Sequence, residues 1–191
     1  MAAGNPPPWR DRIDDGPGAG HREGGEPMTP ETRTAILAGL VGTAALTLVL
    51  ALGPSLGASA VNLPLWDGTF FTLNLTWAVA FGYIVHFTIG VLLALVFQRR
   101  LRDRLSGEPW LRGAVFGLLV WAVLMVVGLP LFDVLDPLVS NGLLPSTGFF
   151  ALGLGPTAPV MLLAAHLIYG AVVGSIAGRS AWSRSLSRMA R

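Results

Sequence analysis

Two histidines with matching neighbours are the residues of this sequence best suited to chemistry. His86 and His166 each lie in a long apolar segment and are followed at intervals of four by small residues. A polar ring inside such a segment is costly and marks a candidate functional site. Small residues at this spacing allow helices to approach closely. The small residues on the histidine faces are Gly82, Gly90 and Ala94 for His86 and Gly170, Gly174 and Gly178 for His166.

Three interpretations of the histidines stay open. In the first they only pack the helices, each bonded to a backbone carbonyl or to a hydroxyl such as that of Tyr83 or Tyr169. In the second, two neutral imidazoles at equal depth bind haem b as axial ligands. In the third they handle ions or protons, although such sites usually recruit carboxylates and the apolar segments contain no Asp or Glu. No catalytic residue and no metal-ligand cluster is predicted.

The composition indicates a membrane protein. The chain is 52% hydrophobic and 13% charged, with a mean hydropathy of +0.61, whereas soluble domains carry about 25% charged residues. It has no cysteine, which excludes disulfides and thiolate sites. It also lacks a Gly-x-Ser-x-Gly elbow, a P-loop and a dinucleotide fingerprint, so nothing favours a soluble-type enzyme.

Four uncharged apolar segments are long enough to cross a bilayer as helices, which takes about 20 residues. We predict an all-α membrane protein, with a disordered tail before the first segment, an Arg-rich loop between the second and third, and a basic interfacial helix after the fourth. The tail is 1–32, the segments are 34–52, 77–98, 113–132 and 159–177, the loop is 99–111 and the interfacial tail is 179–191.

The arginines predict the orientation. They lie before the first segment (Arg22 and Arg33), between the second and third (Arg99, Arg100, Arg102, Arg104 and Arg112) and after the fourth (Arg179, Arg184, Arg188 and Arg191). This one-sided distribution puts both termini in the cytoplasm and explains the basic residues without nucleic acid. We expect the bilayer of the plasma membrane as the partner.

The two outer connections, 53–76 and 133–157, are long and apolar. We expect them to fold back over the outer end of the helices as short interfacial or re-entrant pieces, with Trp66 and Trp77 at headgroup level. Their acids, Asp67, Asp133 and Asp136, have no diagnostic spacing and are expected to be solvated.

The two halves of the chain match. A shift of 79 residues aligns Arg33 with Arg112, and a shift of 80 aligns His86 with His166. The alternative to a duplication is chance similarity of two helix pairs. If the match is a duplication, the halves form parallel repeats because each crosses twice, and the second and fourth helices become diagonal neighbours in a four-helix bundle. The predicted helix hairpins are 33–98 and 112–178.

The glycines of the third and fourth segments have two interpretations. Gly113 and Gly117, with the glycines that follow His166, either pack within the bundle or form an oligomer interface. Three function classes follow: a non-catalytic protein or accessory subunit, a haem- or ion-handling protein using both histidines, and a small dimeric transporter.

Several short motifs resemble a known family. An Arg-x-Ala start to the first segment (Arg33), an Asn-Leu-Pro outer loop (62–64) and a final helix reading Ala-His-Leu-Ile-Tyr-Gly (165–170) resemble a family of small uncharacterised prokaryotic membrane proteins. The resemblance covers about residues 33–178. It implies a four-helix bundle in the plasma membrane and supplies no activity.

Overall fold

A computed structural model of the chain describes residues 28–189, and describes side chains through residue 178. The predicted disordered tail therefore lies mostly outside the described residues. Within them the chain is helical with no strand. The helices are α1 (Pro30–Leu52), α2 (Leu63–Thr69), α3 (Leu75–Val96), α4 (Pro109–Val123), α5 (Leu129–Leu135), α6 (Pro137–Ser140) and α7 (Ala158–Met189).

Four stretches of helix are long and apolar enough to cross a membrane, which confirms the predicted all-α membrane fold. A π-helical turn joins α4 to α5 and makes them one stretch. Each of the first three begins before the segment predicted from the sequence, because the residues that precede the segment are also helical. The first, for example, begins at Pro30, where Thr29 accepts a hydrogen bond from the Thr32 amide at 3.2 Å. The stretches are Pro30–Leu56, Leu75–Leu101, Pro109–Leu135 and Ala158–Gly178.

The long helices pack in the order α3, α1, α7 and α4. On α1, a Cβ at Gly39 would press on the backbone of α3, and one at Gly42 would press on the Tyr169 ring of α7. Glycines three apart thus give α1 two contact faces. By contrast, α3 and α4 make little backbone contact along their length and meet at one end, where the Phe97 and Phe116 ring centroids are 5.2 Å apart.

The glycines of α4 and α7 pack against each other within the chain. A Cβ at Gly113 would overlap the Gly170 carbonyl oxygen, and one at Gly117 would overlap the His166 carbonyl oxygen. Gly174 and Gly178 lie against Pro109 at the start of α4. These glycines are therefore in contact within the chain, as the first of the two interpretations expects.

The outer connections contain the expected short helices, but Trp66 is not an aromatic anchor in lipid. Its side chain is buried in α2, and its ring centroid lies 5.6 Å from that of Phe132. Trp77, in contrast, is exposed. The bilayer-facing role predicted for Trp66 is wrong, because α2 turns this ring towards the end of the third membrane stretch.

Two of the outer acids fix the second connection. Asp136 is fully buried and caps α6 by accepting from the Leu138 amide at 2.8 Å. Asp133 accepts from the amides of Thr147 and Gly148, both at 2.8 Å. The expectation that Asp136 is solvated is wrong, because it is buried where it caps α6. Asp133 is partly exposed, and it binds loop amides that need acceptors.

The backbone of α7 continues past the last membrane stretch to Met189. It runs without a break into the predicted interfacial tail, whose side chains lie outside the described residues. The orientation of this segment on the membrane stays a prediction, as do the internal repeat and the side of the termini.

Replacing Gly113 by leucine should destabilise the protein, since the side chain would overlap the α7 backbone. Overpacking of this kind costs about 1–3 kcal/mol. We expect Gly113→Leu to lower the melting temperature in detergent. Ala44→Leu adds a similar bulk at an exposed position of α1 and should leave it unchanged. Equal melting temperatures for the two variants would contradict the α4–α7 contact.

Candidate functional site

The site begins with a regular stripe of buried residues on α3. The buried positions of this helix recur every four residues and are Ala78, Gly82, His86, Gly90 and Ala94. His86 is the one member with a side chain larger than a methyl group. The stripe therefore forms a groove along α3 that is interrupted by a single imidazole.

The short helix α2 lies in the outer part of this groove. A Cβ at Gly82 would overlap the Pro64 carbonyl oxygen, and a Cβ at Gly68 would overlap the Ala78 carbonyl oxygen. Asn62 starts α2 by accepting from the Leu65 amide at 3.0 Å. Glycine on both helices thus lets α2 sink onto α3 and carries Asp67 to the level of His86.

His86 and Asp67 form a hydrogen-bonded pair. His86 Nδ1 lies 3.0 Å from Asp67 Oδ2, and the two side chains are 10% and 25% exposed. A carboxylate accepts, so Nδ1 carries the proton, and in the neutral ring Nε2 is left as an acceptor. Nε2 is buried without a hydrogen-bond partner. The carboxylate orients the ring, and the other ring nitrogen is left without a partner.

The pair borders a partly open cavity of about 140 Å³. Leu46, Leu63 and other aliphatic side chains make up most of its wall. Ile89 and Leu93 of α3 and Val120 and Leu124 of the stretch that begins with α4 line the side where these helices stand apart. The polar side chains in the wall are Thr43, Asp67, His86, His166 and Tyr169.

His166 reaches the same cavity from α7. Its Nδ1 donates to the Leu162 carbonyl oxygen at 2.7 Å, one turn earlier in the helix. The ring is buried, and this bond leaves Nε2 as the acceptor of the neutral ring. Both histidines predicted from the sequence therefore line one cavity, each held through Nδ1.

The two tyrosines do not serve as partners of the histidines. The Tyr169 hydroxyl donates to the Gly90 carbonyl oxygen at 2.6 Å, which ties α7 to α3 one turn beyond His86. Tyr83 is exposed. Beside Gly90 lies the Thr43 hydroxyl oxygen, which is buried without a partner. Two unpaired polar atoms, on Thr43 and His86, thus belong to residues of the cavity wall.

Haem b does not fit this site. The cavity of about 140 Å³ is smaller than the roughly 300–1,000 Å³ of pockets that hold drug-sized ligands, and a porphyrin needs room between its axial ligands. Tyr169 and Thr43 also stand in the wall between α3, α1 and α7. Among the described residues, no three His, Cys, Asp or Glu side chains are grouped to hold a metal ion.

Sequence reasoning missed Asp67 and Thr43. Asp67 was expected to be solvated because it lies outside the apolar segments, 19 residues before His86. The feature of the sequence that could have pointed to Asp67 is its position as a carboxylate in an otherwise apolar connection, just after the Asn-Leu-Pro start of a short helix. Thr43 carried no signal, because a hydroxyl in an apolar helix commonly bonds its own backbone.

The sequence profile described as "Family of unknown function (DUF6789)" matches residues 30–187. No curated protein and no solved structure gives a match.

We expect the purified, reduced protein to be colourless, because the cavity is too small for a porphyrin. A visible absorption spectrum of the reduced protein checks this, because a bound haem would absorb there. A sharp α-band that disappears in both His86→Ala and His166→Ala would contradict the described cavity.

Proposed function

The chain belongs to the family of unknown function DUF6789, and from its site we propose that it is an integral membrane protein that handles protons at the His86–Asp67 pair. Histidine is the side chain that exchanges protons near neutral pH. Ionisable groups within membrane helices commonly belong to proton or ion pathways. One observation carries the proposal. His86 Nε2 is unpaired beside the cavity, while Nδ1 of the same ring is hydrogen-bonded to the Asp67 carboxylate.

The pair suits proton uptake better than static packing. A histidine used only for packing satisfies its polar atoms with neighbouring groups, as His166 Nδ1 does with the Leu162 carbonyl. His86 Nδ1 is satisfied in the same way by Asp67, but His86 Nε2 is buried without a partner. A proton arriving there would be stabilised by the Asp67 carboxylate 3.0 Å from the other nitrogen.

The cavity supplies the space for a short water chain. A water occupies about 30 Å³ of liquid, so a volume of about 140 Å³ has room for a few molecules. Such waters would satisfy His86 Nε2 and the Thr43 hydroxyl and would link His86 with His166. The partly exposed Asp67 provides the entry from the outer connection.

Two contacts hold the helices together towards the arginine-bearing end of the cavity. The hydrogen bond from Tyr169 to the Gly90 carbonyl joins α7 to α3, and beyond it lie the packed rings of Phe97 and Phe116. We propose that protons enter from the Asp67 side and that passage to the arginine-bearing side requires the Tyr169 bond to open.

The proposal is non-catalytic, since the pair binds protons and breaks no other bond. We further propose that the chain lies in the plasma membrane with both termini in the cytoplasm, as the arginine distribution predicts. A role as accessory subunit of a larger complex, or as a dimeric transporter, also stays a proposal. Because the glycines of α4 and α7 are occupied internally, a partner would dock on the exposed aliphatic faces of α3 and α4.

Proton permeation into liposomes tests the function. Liposomes that contain the full chain and an enclosed pH-sensitive dye receive a potassium diffusion potential. We expect the wild type to pass protons faster than protein-free liposomes. Asp67→Asn and His86→Gln should fall to the protein-free rate, because each removes one half of the pair. A wild-type rate equal to that of protein-free liposomes would overturn the proposal.

Tyr169→Phe is expected to increase proton permeation, in contrast to the two variants of the His86–Asp67 pair. It removes the hydroxyl that joins α7 to α3 and keeps the ring, so proton flux should rise above the wild-type rate in the same assay. Tyr83→Phe makes the same chemical change at an exposed position and should have no effect. A Tyr169→Phe rate at or below that of the wild type would contradict the proposed closure.

A further inference from the structure

A second polar pocket lies at the other end of the first two membrane stretches. It has a volume of about 450 Å³ and lies between the start of α1 and the π-helical turn Phe97–Leu101 that follows α3. π-Helical turns are rare and frequently occur at functional sites. The pocket shares no residue with the cavity at His86. A ligand bound in this pocket is therefore independent of proton handling at His86.

Gln98 is the observation that points to a ligand. Its side chain is buried, with 8% of the residue exposed, and it belongs to the wall of this pocket. Both of its amide atoms, Oε1 and Nε2, are buried without a hydrogen-bond partner. Buried amides are normally paired, so an unpaired donor and acceptor on one side chain call for a molecule that offers both an acceptor and a donor.

The charges around Gln98 have both signs. Arg99 and Arg102 line the pocket together with Glu31 and Asp103. Arg102 bonds Asp103 through Nε at 3.0 Å and Nη2 at 3.3 Å, while its Nη1 is buried without a partner. Two guanidinium groups and two carboxylates suit a ligand that carries one negative and one positive group.

The start of α1 adds a preference for the negative group. Thr29 and Thr32 line the pocket, and Thr29 caps the helix through the Thr32 amide. The positive end of the 23-residue helix favours an anion such as phosphate. Arginine binds phosphate oxygens through its fork of N–H donors.

We propose that this pocket binds a phosphoester that also carries a primary ammonium group. Gln98 Nε2 and the arginines would donate to the phosphate oxygens, and Gln98 Oε1 and the carboxylates would accept from the ammonium. The volume lies within the roughly 300–1,000 Å³ usual for small-molecule sites. The pocket lies at the end of the stretch Leu75–Leu101, so the ligand is either a phosphatidylethanolamine headgroup of the bilayer or a soluble phosphoethanolamine-type compound.

Lipid retention tests the proposal. The full chain is placed in phosphatidylcholine nanodiscs that contain equal small amounts of phosphatidylethanolamine and phosphatidylglycerol. The lipids retained by the protein are then identified and quantified by native mass spectrometry. We expect phosphatidylethanolamine to be enriched over both other lipids. Arg99→Gln should reduce the amount of retained phosphatidylethanolamine about tenfold, the effect of one charge-assisted hydrogen bond to the phosphate.

Arg100→Gln is the matched control, since Arg100 neighbours Arg99 but is not part of the pocket wall. It should retain the wild-type enrichment. Gln98→Leu keeps the bulk of the side chain and removes both amide atoms, so it should also lose the enrichment. The melting temperature of Gln98→Leu shows whether this variant is folded. If it is unstable, the result for Arg99→Gln alone tests the proposed ligand.

The soluble source is tested by titrating phosphoethanolamine into the same nanodiscs and measuring heat. Binding that depends on Arg99, without lipid enrichment, would assign the soluble ligand. Equal retention of phosphatidylglycerol and phosphatidylethanolamine without binding of phosphoethanolamine would overturn the proposal. An equal loss of retained phosphatidylethanolamine in Arg99→Gln and Arg100→Gln would overturn it as well, because the effect would then be one of general surface charge.

Discussion

The close backbone contact between α2 and α3 is the constraint on which the site depends. Gly68 and Gly82 allow the two helices to meet with carbonyl oxygens where a Cβ would stand. Without that contact Asp67 would remain in an outer connection and His86 would be a lone imidazole in an apolar helix. A groove made of small residues thus does two things. It lowers the cost of packing, and it delivers a carboxylate to a position inside the fold.

The polar groups gather in one place because the surrounding helices offer them no water. His166 satisfies Nδ1 with its own helix, Tyr169 uses a carbonyl that Gly90 leaves accessible, and His86 uses Asp67. Two atoms, His86 Nε2 and Thr43 Oγ1, stay unpaired. An unpaired buried polar atom is costly, so its presence beside a cavity is an argument for an occupant that forms hydrogen bonds. The gap between α3 and α4 leaves room for that cavity.

Hydropathy was sufficient to predict the four membrane stretches, because about 20 uncharged apolar residues have few alternatives to a spanning helix. The two histidines singled out by their spacing line one cavity. The partner of His86 could not be predicted, since Asp67 reaches it only when a seven-residue helix folds back onto α3. The burial of Trp66 depends on the packing of α2, and the burial of Asp136 depends on its capping of α6. Local composition describes a loop as apolar or polar, but the packing of its short helices decides which side chains face the protein.

The hydrogen bond between His86 and Asp67 is the central claim, and nitrogen-15 NMR of the full chain in a bilayer tests it most directly. With labelled histidine, the account predicts one ring whose Nδ1 carries a proton strongly hydrogen-bonded to a carboxylate. That signal should be absent in His86→Gln and should move towards that of a neutral partner in Asp67→Asn. A histidine spectrum that is the same in the wild type and in Asp67→Asn would contradict the account, because His86 would then have no contact with the carboxylate.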